Sequence, residues 1–150
     1  MKNFEYVCRK NKLKLTPQRR VIYVELMKNS HHPTTDAVYR QVKQIFPSIS
    51  FDTVNRTLVT FAKIGLIHTV EASGYGRRYD SNINRHHHLK CINCGRIVDF
   101  YHSAFDRLKI PKHLLKEFKV INRKVVLSGL CGNCFKGKQV RTGKKRKRKI

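Results

Sequence analysis

Acidic side chains are scarce in this 150-residue chain: nine Asp and Glu stand against 33 Lys and Arg, for a formal charge of +24. That imbalance excludes a polycationic partner and calls for a polyanionic one. Nine of the charges lie in residues 136–150, a stretch without a single acid, so residues 1–135 still carry +15. A body that basic fits a nucleic-acid binder better than a merely well-solvated surface or a membrane-surface binder. Long apolar runs are also missing. Hydrophobic residues make up 40% of the sequence, yet no run approaches the roughly 20 residues a membrane span requires. The opening Met1-Lys2-Asn3-Phe4-Glu5 lacks the charged-then-apolar pattern of a signal peptide, so the expected location is cytoplasmic. There is no internal repeat. The length suits one domain or two very small ones, and a module of roughly 50–80 residues usually needs a staple beyond its own core.

The cysteines offer that staple. Five thiols in a cytoplasmic protein argue for metal or redox chemistry over a disulfide framework, and four of them form two pairs, Cys91-Ile92-Asn93-Cys94 and Cys131-Gly132-Asn133-Cys134, with 36 residues between. Each close pair on a turn can point two sulfurs at one ion, which meets the tetrahedral preference of zinc. A closed four-sulfur shell leaves no position for a substrate, so this zinc is expected to be architectural, with its binding energy acting as folding energy. A thioredoxin-like redox pair would need one C-x-x-C to open a helix after a strand, and neither pair reads that way. Cys8 stands alone in a basic helical stretch and reads as a partly buried apolar side chain.

Three helix starts precede these pairs. A short mixed helix over Phe4 to Lys12 is followed by Thr16 as a cap with Pro17 in the first helical position, where its missing N–H costs nothing. Val21, Ile22, Leu26 and Val24 form the predicted buried stripe. Thr34-Thr35-Asp36 opens a second helix with Ala37, Val38, Val42 and Ile45 inward, stopped by Pro47. Ser48-Ile49-Ser50 opens a third, Phe51 to Ile64, closed by Gly65. Val54, Leu58 and Phe61 share one face at i, i+4, i+7, which leaves Thr53, Asn55, Arg56, Thr57 and Thr60 for the exposed side. Strand patterns at residues 66–70 and 77–79 flank a turn at Ser73-Gly74-Tyr75-Gly76. Three helices and a basic hairpin give the layout of a winged helix.

Residues 81–84 read as a polar hinge. Beyond it come a strand at 86–90, a turn at Cys94-Gly95, a strand at 97–101, a helix around 111–118 and an alternating strand from 119 to 130. The predicted fold is therefore α+β: a winged helix-turn-helix DNA-binding domain over 1–80, the hinge 81–84, and a small C-terminal α/β dimerisation and metal-binding domain over 85–135 with a structural zinc. Residues 136–150 are expected to be a disordered basic tail.

A second polar cluster comprises His31-His32-Pro33, Asp80, His86-His87-His88 and Asp99. Alternate strand residues share a face, so His86 and His88 point to one side and His87 to the other. Two imidazoles so placed can chelate a divalent metal, and Asp80, Asp99 and His32 could complete a mixed nitrogen and oxygen shell suited to iron(II) or manganese(II), and tolerant of zinc. The bland alternative is a solvated, His-rich surface. On the third helix, Asn55 and Arg56 are the side-chain types that pair with adenine and guanine edges in the major groove, against the alternative of a solvated helix face. Thr53 and Thr57 flank them. Lys14 and Arg19, on either side of the Thr16-Pro17 helix start, join the candidate DNA contacts, and Arg77 and Arg78 in the hairpin would meet phosphates.

Leu15-Thr16-Pro17-Gln18-Arg19, His32-Pro33-Thr34, Phe46-Pro47-Ser48-Ile49-Ser50 and the run His86 to Phe100 resemble the ferric uptake regulator family over about residues 10–135. The resemblance implies a homodimer that binds palindromic double-stranded DNA operators when a regulatory metal is present. It also implies that His32, Asp80, His86, His88 and Asp99 are the ligands of that metal, Fe²⁺ or Mn²⁺, beside a structural Zn²⁺ on Cys91, Cys94, Cys131 and Cys134. The family's peroxide-sensing branch has Asp where iron-sensing members usually have Glu after the first C-x-x-C, and here the residue is Asp99. In that branch bound iron(II) reacts with hydrogen peroxide and a liganding histidine is oxidised; the matching positions are His32 and His86. A further metal site of iron-sensing members has a histidine that aligns with Arg123, which implies that this site is absent. Where the family's recognition helix usually carries Tyr, this chain has Asn55, so its operator is expected to differ.

The resulting expectation is a metal-dependent transcription repressor with peroxide as its signal and no other small-molecule substrate. The alternative is an iron-, manganese- or zinc-responsive regulator of the same family. A zinc-dependent hydrolase of nucleic acid is disfavoured, because it would need an open metal position and a general base, and no Glu or Ser is placed for that role.

Overall fold

Thr16, Thr34 and Ser50 begin three helices in the same way. Each side-chain oxygen accepts a backbone N–H three residues on: Arg19 at 3.3 Å, Ala37 at 3.2 Å and Thr53 at 3.1 Å. These caps satisfy donors that the first helical turn leaves unpaired. In the computed structural model, which describes residues 1–70 and 76–136, they start α2 (Pro17–Met27), α3 (Thr35–Ile45) and α4 (Phe51–Lys63), preceded by α1 (Lys2–Lys10). Gly65, at φ +74°, closes α4 in the left-handed region that glycine enters without strain.

The chain separates into two units, the first ending at Arg85 and the second beginning at His86. In the first unit, Phe4, Cys8, Ile22, Leu26, Val38, Val42, Val54, Leu58 and Phe61 are fully buried in one core. Phe4 stacks on Tyr23 at 4.5 Å, and both meet Phe61 edge-on. Tyr23 and Glu25 are buried alongside Ile22 and Leu26, while Val21 and Val24, placed in the predicted stripe, are half-buried. Ile45, also expected inside, stays 51% exposed: it lies in the last turn of α3, where Pro47 turns the chain away. The hairpin β1 (His68–Val70) and β2 (Arg78–Asp80) is antiparallel, with His68 opposite Asp80 and Val70 opposite Arg78. A single bridge between Thr34 and Arg78 ties it to the start of α3. Three capped helices and a hairpin form the winged helix-turn-helix that the sequence predicts. Of the predicted turn, Ser73, Gly74 and Tyr75 lie outside the described residues.

The second unit is a three-stranded sheet in the order β4 (Ile97–Phe100), β3 (His87–Cys91), β5 (Val126–Gly129), with β3 antiparallel to β4 and parallel to β5. The predicted strand over 119–130 shrinks to its last third. The reason is register: Val126 pairs with His88, next to the start of β3, so residues before 125 have no strand beside them. The N–H of Val125 instead donates to Nδ1 of His87 at 3.3 Å, which ends the ladder. Helix α5 (Ser103–Asp106) was not predicted, α6 (Lys112–Glu117) was, and α7 (Gly132–Lys136) takes in Lys136, the first residue of the expected tail. The rest of that tail, 137–150, lies outside the described residues. Among the described residues no helix is long and apolar enough to cross a membrane.

Candidate metal centres and nucleic-acid interface

The four cysteines of the two C-x-x-C pairs come together. Cys91 ends β3, Cys94 follows in the turn before β4, and Cys131 and Cys134 bracket the start of α7. The four Sγ atoms lie within 4.8 Å of one another, and Cys94 Sγ is 3.7 Å from Cys131 Sγ. Sulfurs bound at about 2.3 Å to one tetrahedral zinc stand about 3.8 Å apart, so the Cys94–Cys131 spacing matches a shared zinc ion and the other two thiols lie close enough to join it. The Cys94 and Cys131 backbone N–H groups pull Cys91 down to about 6. At Cys134 the Asn93 side chain pulls down, but Cys131, burial, Cys94 and Cys91 outweigh it and push the thiol up to about 12. Four crowded thiols cannot all ionise unaided, and a divalent cation is what would let them. The second cysteine pair differs from its expected setting. The second pair does open a helix after a strand, because α7 follows β5. The helix is a single short turn, and Cys131 faces a sulfur of the other pair, as a shared ion requires.

The nitrogen and oxygen donors divide between the units. In the second, the alternation of β3 sends His86 and His88 to one face and His87 to the other. His86 Nε2 and His88 Nε2 are 2.9 Å apart. Asp99, paired with His88 across the β3–β4 ladder, brings Oδ1 to 3.4 Å from His88 Nε2 and 3.7 Å from His86 Nε2. Adjacent donors about 2.1 Å from one octahedral ion stand about 3.0 Å apart, and about 3.4 Å around a tetrahedral one. This triangle therefore fits three positions of a single first-row metal. His87, fully buried, packs its ring on Phe100 and Phe105, each 5.5 Å away, with Nε2 3.5 Å from Asp106 Oδ1. It stands apart from the triangle. Nearby, Arg123 donates to the Asp106 carbonyl at 3.4 Å.

In the first unit His32 Nε2 lies 3.8 Å from Asp80 Oδ1, and both side chains are buried. His32 has φ +51°, rare for a residue with a Cβ and usually a sign of a local constraint. The constraint is visible. Arg78 donates from Nη1 to the His32 carbonyl at 3.1 Å, and Tyr79 N–H donates to the Pro33 carbonyl at 3.0 Å. Asp80 Oδ1 accepts the Asn82 N–H at 2.9 Å, which fixes the carboxylate.

The residues expected to meet DNA are placed unevenly. Lys14, Arg56 and Arg77 are exposed, and Thr53 and Asn55 are half-exposed. Arg19 is half-buried and donates to the Lys14 carbonyl at 2.6 Å. Arg78 is half-buried and gives one Nη1 hydrogen bond to the His32 carbonyl, a structural role beside the phosphate contact expected of it. Thr57 is only 7% exposed, because at i+3 from Val54 it joins the face of Leu58 and Phe61. Buried there, Thr57 is closed off from a direct base contact. The sequence reading missed Thr35, whose Oγ1 donates to Asn55 Oδ1 at 3.4 Å, and Asp52, whose Oδ2 accepts from Arg56 Nε at 2.8 Å. The i, i+4 spacing of Asp52 and Arg56 was the available signal for the second pair.

A model of the ferric uptake regulator family matches residues 10–128. The peroxide-responsive repressor of Staphylococcus saprophyticus is 32% identical over 126 residues, which are 84% of this chain and 85% of that protein. The Campylobacter jejuni peroxide stress regulator is 30% identical, with a TM-score of 0.66 over 84% of this chain and 95% of its own. The fold also matches the Helicobacter pylori ferric uptake regulator, at a TM-score of 0.73 and 24% identity over 89% and 90% of the two chains.

Proposed function

The chain belongs to the ferric uptake regulator family, whose members are transcription regulators and not enzymes, and from that premise we propose that it is a metal-dependent, DNA-binding repressor that senses hydrogen peroxide by oxidation of a liganding histidine. The observation that carries this reading is the triangle of His86, His88 and Asp99, with donor separations of 2.9, 3.4 and 3.7 Å. The carboxylate is an aspartate, and relatives named for peroxide response match most of the chain.

In this reading the four cysteines hold a structural zinc that fixes β3, β4 and the end of the chain's second unit. His32 and Asp80 join His86, His88 and Asp99 as ligands of one regulatory iron(II) or manganese(II). The support is the family resemblance together with the donors each unit offers on its own. Bound iron(II) would supply the electrons that break the O–O bond of hydrogen peroxide. The residues' part is to hold His32 and His86 rings within reach of that chemistry. A ring that gains oxygen at carbon becomes a poorer nitrogen donor, metal affinity falls, and the state that binds DNA is no longer favoured.

DNA recognition falls to α4, with Arg77 on the hairpin and Lys14 before α2 adding charge. The protein acts as a homodimer. On one face of the second unit's sheet, Leu89, Val98 and Leu127 sit side by side in the register and are 48%, 43% and 41% exposed, an apolar row that a second copy would cover. The test loads the protein with iron(II), adds hydrogen peroxide in low dose, and follows DNA release and peptide masses together. Release should accompany a one-oxygen gain on peptides bearing His32 or His86. Release with both histidines unmodified would refute the oxidation mechanism.

A further inference from the structure

The two side chains of α4 best suited to base contact are each already held by a neighbour. One turn back on the exposed surface, Asp52 Oδ2 accepts Nε–H of Arg56 at 2.8 Å. Across from α4, the Thr35 hydroxyl, at the first position of α3 and 8% exposed, donates to Asn55 Oδ1 at 3.4 Å. Asn55 opens with Thr35, Arg77 and Gly76 onto a cleft of about 500 Å³, so its amide borders open space while its oxygen is engaged by the Thr35 hydroxyl.

Hydrogen-bond valence then sets what this surface can read. A guanidinium has five N–H donors. With Nε–H taken by Asp52, the terminal groups remain as an end-on fork whose direction the carboxylate fixes. A carboxamide offers one acceptor oxygen and one NH₂. With its oxygen turned to Thr35, the outward group is a donor only. Asparagine recognises adenine by using both ends at once, on N6 and N7. A donor-only amide instead favours bases rich in acceptors, which guanine offers at both N7 and O6 and thymine at O4, whereas adenine sets its one acceptor, N7, beside the N6 donor that such an amide cannot satisfy.

We propose that Asp52 and Thr35 are positioning residues for specificity: they make Arg56 and Asn55 an all-donor pair that reads guanine beside guanine or thymine, not the adenine that an unrestrained asparagine would select. The proposal rests on α4 being the DNA-reading element. Asp52 has a recognisable sign. Its negative charge repels every duplex alike, so it weakens general affinity while sharpening choice.

Selection from a randomised double-stranded DNA library, with the full-length manganese(II)-loaded protein, tests this. An Asn55→Ala variant identifies the base pair under Asn55 by losing its preference. Wild type should select guanine or thymine there, next to a guanine lost in Arg56→Ala. Asp52→Ala should lower the preference for that guanine about tenfold, the size of a lost bidentate contact, while binding random-sequence duplex no more weakly. Asp52→Asn, which keeps a neutral acceptor for Arg56 and the side chain's shape, should retain part of the preference and carries the test if the alanine variant fails to fold. Thr35→Val, close to isosteric, should admit adenine at the Asn55 position. Adenine selected there by wild type, or motifs unchanged in the Asp52 and Thr35 variants, would overturn the proposal and leave the wider reading standing. A metal-loaded wild type that selects no motif would overturn both.

Discussion

Asp99 reaches two imidazole nitrogens on the neighbouring strand, at 3.4 and 3.7 Å, because a short carboxylate projects directly across from His88. One more methylene would carry the oxygens past that position while leaving a carboxylate available to a metal. The Asp99→Glu variant should therefore still bind DNA when metal-loaded and lose its response to hydrogen peroxide, as gel-shift titrations with and without oxidant would reveal; a retained response would count against the assigned geometry. Arg78 acts one step further out. It braces the His32 carbonyl at 3.1 Å and with it the left-handed backbone that aims the ring. Outer partners of metal ligands commonly matter by about 10–100-fold in affinity. Arg78→Ala should thus weaken regulatory-metal binding by about tenfold in a manganese titration, while the zinc content stays at the wild-type level. Equal affinity in the two proteins would show that the brace is dispensable. Spacing alone could place His86 and His88 together and His87 opposite, since period-two alternation decides it. It could not place Arg78, whose role depends on a bridge between β2 and the start of α3.

Element by element, the helices were legible because each carries its own start signal: Thr16, Thr34 and Ser50 all cap as read. Their inner faces were read less well. Glu25 is buried beside apolar neighbours, with Lys28 at 2.6 Å from its carboxylate, a pairing that hydrophobic periodicity does not register. Thr57 was misplaced because its face follows from Val54 at i+3, and a threonine does not announce burial. The alternating residues 119–125 looked like a strand but lack a partner, and a strand is defined by what lies beside it. Helices as short as α5 and α7 hold too few residues for any period. Packing energetics follow from the same faces. Leu58 is fully buried between Val54 and Phe61 in the first unit's core, so Leu58→Ala should cost about 2–5 kcal/mol, read as a lowered denaturation midpoint. The second unit has few buried apolar side chains, Cys91 and Ile97 among them, and depends on its staple. Cys91→Ser, or chelation of zinc from wild type, should abolish the ordered β3–β4–β5 sheet as followed by amide exchange. A sheet that survives zinc removal would contradict the architectural role.

For the whole molecule, the strongest spacing signal and the proposed sensor are different sites. The cysteines are the most legible feature because two C-x-x-C pairs are specific by themselves; the regulatory donors are scattered over residues 32–99 and gain meaning only when His86, His88 and Asp99 are seen on paired strands. The basic body, +15 outside residues 136–150, fits DNA as the partner, and linkage requires that whatever the metal adds to DNA affinity, DNA adds to metal affinity. Sensing then reduces to whether the bound metal can turn peroxide into damage at its own ligands. The most direct measurement compares DNA release in iron(II)-loaded and manganese(II)-loaded protein after the same low dose of hydrogen peroxide. The account predicts that the iron-loaded protein leaves DNA, with oxygen added to His32 or His86, while the manganese-loaded protein stays bound; equal release from both, or none from either, would contradict it.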